Sequence, residues 1–443
     1  MESNSGTEQS LRKYYDRVPY PANPIDETLS ENADVLYIHN FLTPYYLRNR
    51  ALPPTRPLRL LDAGCGSGFK TLALAQANPD ARIVGIDLSD MSLQIARQRL
   101  VRHGYGQTEF FALPVERVGE LGETFDYINC DEVLYLLPDP EAALRALKAV
   151  LAPGGILRTN LHNRYQREPL YRAQRAFRLM NTAGDLQEEA QADLVRQVMN
   201  NLKDSVYLKH VCWNGQSDQK ERSEWIEMNY LLEGDKGFTV PEMFELLERT
   251  ELEFIGMVQW PQWELLDLFQ DPESVPSEFE RIYRALPLPQ RLHLYELIQG
   301  KHRLLDFWCG HPGEGQLHAP FRHWSDAELD RCSVRLHPQL TTGALKAQLL
   351  ASIETNGEFH LNAFLHEPGG ADFVMMNKIA RGLLPLWDGP QLLGPFLDAW
   401  TTQTLALAAA DGIDLAFESM CQDLKMFILQ TEMFAYTLVG RGS

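Results

Sequence analysis

The sequence predicts an α/β protein built on a doubly wound, mostly parallel sheet. Three observations carry this. Short apolar runs alternate with amphipathic stretches from residue 57 to 161, the pattern of strands joined by helices. The first run ends in Leu60-Leu61-Asp62-Ala63-Gly64-Cys65-Gly66-Ser67-Gly68, where three glycines alternate over five positions. The second run ends on an acid, Asp87. Glycines at a strand end let a ligand approach the backbone closely, and open α/β sheets take their ligands at that end.

Residues 57–63 read as the first strand, and 71–77 as a helix whose N-terminus faces the glycine loop. Residues 82–87 form the second strand, and Ser89 caps a helix that runs to about residue 102. Strands over 109–113 and 125–130 follow. Asp139-Pro140 opens a helix with proline at its favoured first position. Leu144, Leu147, Val150 and Leu151 share its apolar face. Pro153-Gly154-Gly155 turns the chain into a fifth strand over 156–161. Residues 165–232 change character, with helices over 170–180 and 186–202 and an ambiguous stretch over 203–213. They leave the sheet from a strand's carboxyl end, so they read either as packing or as a substrate cap. The pattern resumes with the capping box Thr239-Val240-Pro241-Glu242, a helix over 240–249 and a strand over 252–258. Helices to about residue 307 and a Gly-, Pro- and His-rich loop over 310–324 come next. A small α+β unit closes the chain, with strands over 334–340 and 359–365 and helices over 378–387 and 421–437.

The first 50 residues combine a short amphipathic helix at 11–16, three prolines and an aromatic stretch over 39–47. They read either as packing on the sheet edge or as a lid that brings Tyr14, Tyr15 or His39 to a substrate. The expected organisation is therefore a lid (1–50), a cofactor domain (51–161 with 236–260), a cap (162–235), a helical segment with its loop (261–332) and a substrate- or partner-binding unit (333–443).

At ~100–200 residues per domain, 443 residues imply two or three domains. A net charge of −19 argues against a non-specific grip on nucleic acid, which needs basic surface. Six scattered cysteines without a CxxC pair read as a reduced, cytoplasmic chain. The polar first ten residues lack a signal peptide's apolar core. With no apolar run near ~18 residues, no membrane span is expected.

The cofactor follows by comparing spacings. A nicotinamide fingerprint needs G-x-G-x-x-G, but Phe69 occupies the third glycine's place. A P-loop needs G-K-[ST] at its end, and the spacing upstream of Lys70-Thr71 is wrong. What remains is Asp62-x-Gly64-x-Gly66-x-Gly68 followed by Asp87. A strand-end acid accepts hydrogen bonds from ribose hydroxyls. Backbone N–H groups at a helix N-terminus hold a small zwitterion. S-adenosylmethionine has both parts and no phosphate.

These residues resemble the class I S-adenosylmethionine-dependent methyltransferases, which have a Rossmann-like sheet. Leu61 to Gly68 matches their first motif, Ile86-Asp87-Leu88-Ser89 the ribose acid, Phe125 to Ile128 with Leu136 to Pro140 the fourth strand and its sequel, and Leu151 to Gly155 the turn before strand five. The resemblance covers 57–161 closely and 237–258 more loosely. It implies cofactor contacts from Asp62, Gly64, Cys65, Gly66, Gly68, Asp87, Leu88 and Asn129. The family's acid after strand three has no clear counterpart: either Glu116 substitutes or the backbone of Val115 meets the adenine. The stretches 239–247 and 379–389 are similar to larger bacterial methyltransferases with a winged-helix-like C-terminal regulatory unit. Residues 39–48, 129–139 and 304–312 are similar to a cyanobacterial group that includes the phycobiliprotein asparagine methyltransferase.

Methyl transfer from a sulfonium rests on positioning and water exclusion, so it needs no fixed catalytic signature. The [ND]-P-P-[YFW] tetrad is absent, and Asn129-Cys130-Asp131-Glu132 stands in its place. Asp131 and Glu132 are candidates to orient an acceptor or meet the methionine amine, against plain capping roles. His162 is a candidate by its place after strand five. Cys309, His311, His318 and His323 have one, six and four residues between them, which fits no standard zinc knuckle, so no metal is expected. The expected acceptor is bulky, a protein side chain or a large small molecule methylated at N or O. The competing readings are a small-molecule natural-product methyltransferase and a non-catalytic cofactor sensor. Oligomeric state is not legible.

Overall fold

The computed structural model describes residues 12, 15–17, 19–30, 32–53, 55–184, 187–213, 223–232, 234–271, 274–315, 324–361, 373–410, 412 and 415–441. Its centre is a mostly parallel sheet. Strands β1 (Arg59–Ala63), β2 (Arg82–Asp87), β3 (Glu109–Ala112), β4 (Phe125–Cys130) and β5 (Leu151–Asn163) run parallel. The two-residue β6 (Gly237–Phe238) extends β5 at its carboxyl end. β7 (Glu253–Met257) and β8 (Leu304–Gly310) complete the order β3-β2-β1-β4-β5-β8-β7, with β8 antiparallel to both neighbours.

Alternation along each strand gives the sheet two apolar faces. Leu61, Ala63, Val84 and Ile86 pack with Leu144, Leu147, Met243 and Tyr295 on one face. Leu60, Ile83, Tyr127 and Trp308 pack with Phe41, Leu72, Leu93 and Ala96 on the other. Local signals set the helix starts. Ser89 accepts from the Ser92 N–H, Asp139 accepts from the Ala142 N–H, and Thr239 and Glu242 form the expected reciprocal box.

The chain leaves β5 through helices Arg164–Gly184, Glu188–Asn201 and Tyr207–Cys212, which settles the ambiguous stretch as helical. Their own core contains Phe177, Val195, Met199, Ile226 and Tyr230. Past β8 lies an antiparallel sheet of β9 (Cys332–Leu336), β12 (Gln391–Leu392) and β13 (Thr437–Arg441), ordered β12-β9-β13. Between them, β10 (Glu358–His360) pairs with β11 (Val374–Met376). Helices Gly343–Thr355, Leu393–Ala410 and Phe417–Met433 cover these strands.

Three expectations change. Leu304 to Gly310, expected as helix running into loop, is an interior strand of the main sheet. The segment 261–332 thus supplies the sheet that 236–260 was expected to complete. Asp306 disguised the strand, because its charge is matched by Arg158 of β5, at 2.7 Å, a partner far away in sequence. Second, β5 is longer than expected, and Pro153-Gly154-Gly155 lies inside it at a register shift against β4. Third, the expected helix over 421–437 spans Phe417–Met433, and Thr437 begins a strand.

Candidate active site

The carboxyl ends of β1, β2 and β4 open into a cavity of about 460 Å³. Asp62, Gly64, Cys65, Gly66, Asp87, Leu88, Val115, Glu116, Asp131, Glu132 and Tyr15 all line it. Its apolar wall comes from Leu113, Val115, Val133, Leu136 and Leu137.

Asp87 is held for its position by two backbone donors. Gly66 N–H reaches one carboxylate oxygen and Ser89 N–H the other, each at 2.9 Å. Burial raises its pKa against these hydrogen bonds. Asp62 accepts from Thr71 Oγ1 at 2.6 Å and from Asn129 Nδ2 at 2.8 Å. Burial pushes its carboxyl up to about 6. Asn129 is fully buried beneath this carboxylate and does not line the cavity. Its expected contact with the cofactor therefore becomes a hold on Asp62.

Gly66 has φ +50°, and a Cβ there would sit 2.2 Å from the carbonyl oxygen of Tyr20. The N-terminal strand of chain around residues 20–25 presses directly on the glycine loop. Ser67 N–H donates to Tyr20 O at 3.0 Å, and Ser67 Oγ to Pro21 O at 2.6 Å. Buried Arg99 fastens this crossing by donating to the carbonyls of Ser67, Pro24 and Asn23 at 3.0, 2.6 and 2.8 Å. Gly68 differs from the other two. It is absent from the cavity wall, and its missing side chain makes room for Ala96, whose Cα would lie 2.8 Å from a Cβ.

Consecutive acids part company after β4. Asp131 is buried among cations, 3.3 Å from Lys70 and 3.7 Å from Arg158. Burial raises its carboxyl, but Arg158, Lys70 and His39 together hold it below the ordinary range. Glu132 adopts φ 59°, a left-handed conformation uncommon for a non-glycine residue. The Asn160 side chain accepts from its N–H at 2.8 Å, and its carboxylate pairs with Arg303.

His162 stands off the cavity wall. It lies within β5, stacked on Tyr135 at 3.5 Å, with Nδ1 2.6 Å from Asp235. Burial pushes its pKa down to about 4, against the pull of Asp235. Arg167 pairs with the other oxygen of Asp235 at 2.8 Å. His39 is likewise internal. Its Nδ1 donates to Val35 O at 2.7 Å, and its Nε2 accepts from Arg158 at 2.9 Å. The strand expectation had placed His162 beyond the sheet, and the aromatic stretch had offered His39 to substrate; neither is so placed.

Tyr15 lines the cavity, with its hydroxyl 4.0 Å from Met228 Sδ, and the two residues reach it from segments far apart in the chain. Burial, then the Asp87 charge, raises the Tyr15 pKa. Tyr14, His318 and His323 lie outside the described residues. Cys309 is buried in β8, and His311 Nε2 bonds Leu151 O at 3.0 Å. Among the described residues no cluster of three His, Cys, Asp or Glu is placed to hold a metal, and no helix is long and apolar enough to cross a membrane. Sequence reasoning missed Tyr20, Lys70, Arg99, Met228 and Arg303 as parts of the site, because each reaches it through a contact distant in sequence.

Residues 55–230 match the family described as a methyltransferase domain. An uncharacterized protein of Synechococcus sp. is 28% identical over 72% of this chain and 74% of its own length. The ubiquinone biosynthesis O-methyltransferase of Bordetella avium is 42% identical over 22% of this chain, which spans only 39% of that enzyme. The fold as a whole is similar to PKMT2 from Rickettsia typhi, solved also with AdoHcy, at TM-score 0.60 and 16% identity over 92% of this chain and 76% of that one. The matched domain and its relatives identify an S-adenosylmethionine-dependent methyltransferase on a Rossmann-like fold.

Proposed function

We propose that the protein transfers a methyl group from S-adenosylmethionine to an N or O atom of a bulky acceptor, a protein side chain. The observation that supports this is the placement of Asp87. Its half-buried carboxylate ends β2 beside the Gly66 backbone, and Leu113 and Val115 line the same cavity as an apolar wall. The donor set fits the cofactor: an acid for the ribose diol, apolar surface for the purine, and Asp62 for the methionine ammonium. Leu88 and the Val115–Glu116 stretch flank the purine in this reading.

When bound, the cofactor supplies an electrophilic methyl group. The residues of this chain position and enclose it. Tyr15 and Met228 shut out water from above. Asp131, neutralised by Lys70 and Arg158, stays ionised and fixes Lys70 at the cavity wall. Glu132, at the mouth, takes the proton that a methylated N–H or O–H releases, and Arg303 keeps its carboxylate turned there. His162 positions Arg303, whose Nη1 lies 3.4 Å away. The cap and the C-terminal unit give the acceptor its platform. The phycobiliprotein asparagine is one protein side chain to test.

Asp87→Ala should abolish S-adenosylhomocysteine binding in calorimetry, a loss of at least about a hundredfold for a charged partner left unmade. Unchanged affinity would refute the site. A labelled-methyl assay on host lysate, followed by mass spectrometry, identifies the acceptor. Label in protein supports the reading, label in small metabolites alone redirects it, and no label with intact cofactor binding favours a sensor.

A further inference from the structure

A second cavity, of about 520 Å³, lies between the edge strand β7 and the C-terminal helix Phe417–Met433. Small-molecule sites of roughly 300–1,000 Å³ favour such boundaries between structural units. β7 bulges between Phe254 and Gly256. Gly256 leaves a hollow, since a Cβ built there meets nothing within 4 Å. Trp260, Trp263 and Met257 line the interior, and Met426 and Met433 stand at the rim, 42% and 51% exposed. Thioethers on flexible stems adapt to apolar ligands of varied shape.

The charges around this chamber are unequal in their partners. Glu264 accepts from the Tyr283 hydroxyl at 2.9 Å and from Leu266 N–H at 3.2 Å. Glu432 pairs with Arg50 at 2.7 Å. Arg291 has no ion pair among the described residues, and its Nε is buried without a hydrogen-bond partner. The guanidinium instead rests over the Tyr283 ring at 5.8 Å. A guanidinium that makes no ion pair among the described residues, beside an aromatic, methionine-rimmed chamber, is the complement of an anionic head on an apolar body.

We propose that this cavity is a second small-molecule site, which takes a compound with one carboxylate head and an apolar body. The head seats on Arg291 and the body lies between Trp260, Trp263 and the hollow at Gly256. The site shares no lining residue with the cofactor cavity. β8 and β5 separate β7 from β4, so the two are distinct sites on one sheet. Linear and aromatic carboxylates share this chemistry, and two probes tell them apart.

The test is calorimetry on the full chain with decanoate, 2-naphthoate and, as a headless control, decan-1-ol. At least one of the two anions should bind at one site per chain, and the alcohol at least tenfold more weakly. Arg291→Met and Gly256→Leu should each weaken the bound anion at least tenfold while leaving S-adenosylhomocysteine affinity unchanged. Asp87→Ala should leave anion binding intact. The proposal is overturned if neither anion binds, if decan-1-ol binds equally, or if both variants bind the anion as the parent does. Loss of anion binding in Asp87→Ala, or competition by S-adenosylhomocysteine, overturns it too by placing the probe in the cofactor cavity. Should Arg291→Met fail to fold, Gly256→Leu and the alcohol control decide.

Discussion

Gly68 sits at φ +80° with Ala96 of the next helix pressed against it. The glycine loop therefore carries two different demands, ligand approach at Gly64 and Gly66 and helix packing at Gly68. Gly68→Ala should cost about 1–3 kcal/mol for the left-handed backbone, with further loss from the clash, read as a lowered urea midpoint. Cofactor affinity of the folded fraction should be unchanged. His337 offers a second residue-scale test. It is fully buried, accepts the Gln339 N–H at Nδ1, and meets Thr43 Oγ1 at 3.0 Å through Nε2. Burial, with Arg335 nearby, brings its pKa down to about 3, against about 6.5 in the unfolded chain. The unfolded state thus takes up the proton first. This stability is fully present above pH 6.5 and drains away as pH falls toward 3. Between pH 8 and pH 5 the loss is about 2 kcal/mol. Urea titrations at both values should show His337→Gln losing about that much less than the parent. At this scale the sequence revealed what is local. Asp62, Gly66 and Asp87 are legible because strand, turn and acid lie in one short motif. Arg99, Arg158 and Arg303 are not, since each is fixed by residues far along the chain.

The crossing of residues 20–25 over the glycine loop is the element that Arg99 secures. Removing that side chain leaves three backbone carbonyls without their charged donor. Each such hydrogen bond is worth about 1.5–3 kcal/mol, so Arg99→Met should weaken S-adenosylhomocysteine binding by roughly tenfold or more. Hydrogen exchange in residues 20–25 should speed up in step. Retained affinity and protection would mean the crossing stands without its latch. Among elements, periodicity revealed the helices that start at Ser89, Asp139 and Thr239, where cap residues are explicit. It failed at β8 for a physical reason. An interior strand is covered on both faces and shows no alternation, and Asp306 in its middle reads as solvent-facing until Arg158 is seen beside it.

Over the whole molecule, helices Ala33–His39 and Leu42–Asn49 join the main sheet to the C-terminal unit. Tyr46 accepts the Val439 N–H at 2.8 Å, and Tyr37 donates to Phe434 O. Phe41 packs edge-on to Tyr127 of β4 at 6.0 Å, and Arg48 donates to Gly155 O at 3.4 Å. An N-terminal segment that closes on both bodies couples their unfolding. Scanning calorimetry should show one cooperative transition, and two resolved peaks would contradict this coupling. Tyr46→Phe, which strands the buried Val439 N–H, should lower the midpoint by the equivalent of about 1–3 kcal/mol. The sequence offered the aromatic stretch 39–47 as sheet-edge packing or as a lid, and revealed neither these two helices nor their second attachment. The partners, Phe434 and Val439, follow 397 and 393 positions later, and no pattern in a single chain encodes such a pairing.

The position of β8 between β5 and β7 also sets a timetable for the ribosome. The outer edge of β5 can be covered only when residue 304 and those after it emerge, although β5 itself ends at Asn163. At a translation rate of 5–20 residues per second, the intervening stretch takes roughly 7–28 s to make. For that interval an apolar strand edge stands unpaired, a template for the wrong neighbour. Nascent chains stalled before residue 304 should therefore engage chaperones, and those stalled well beyond Gly310 should release them.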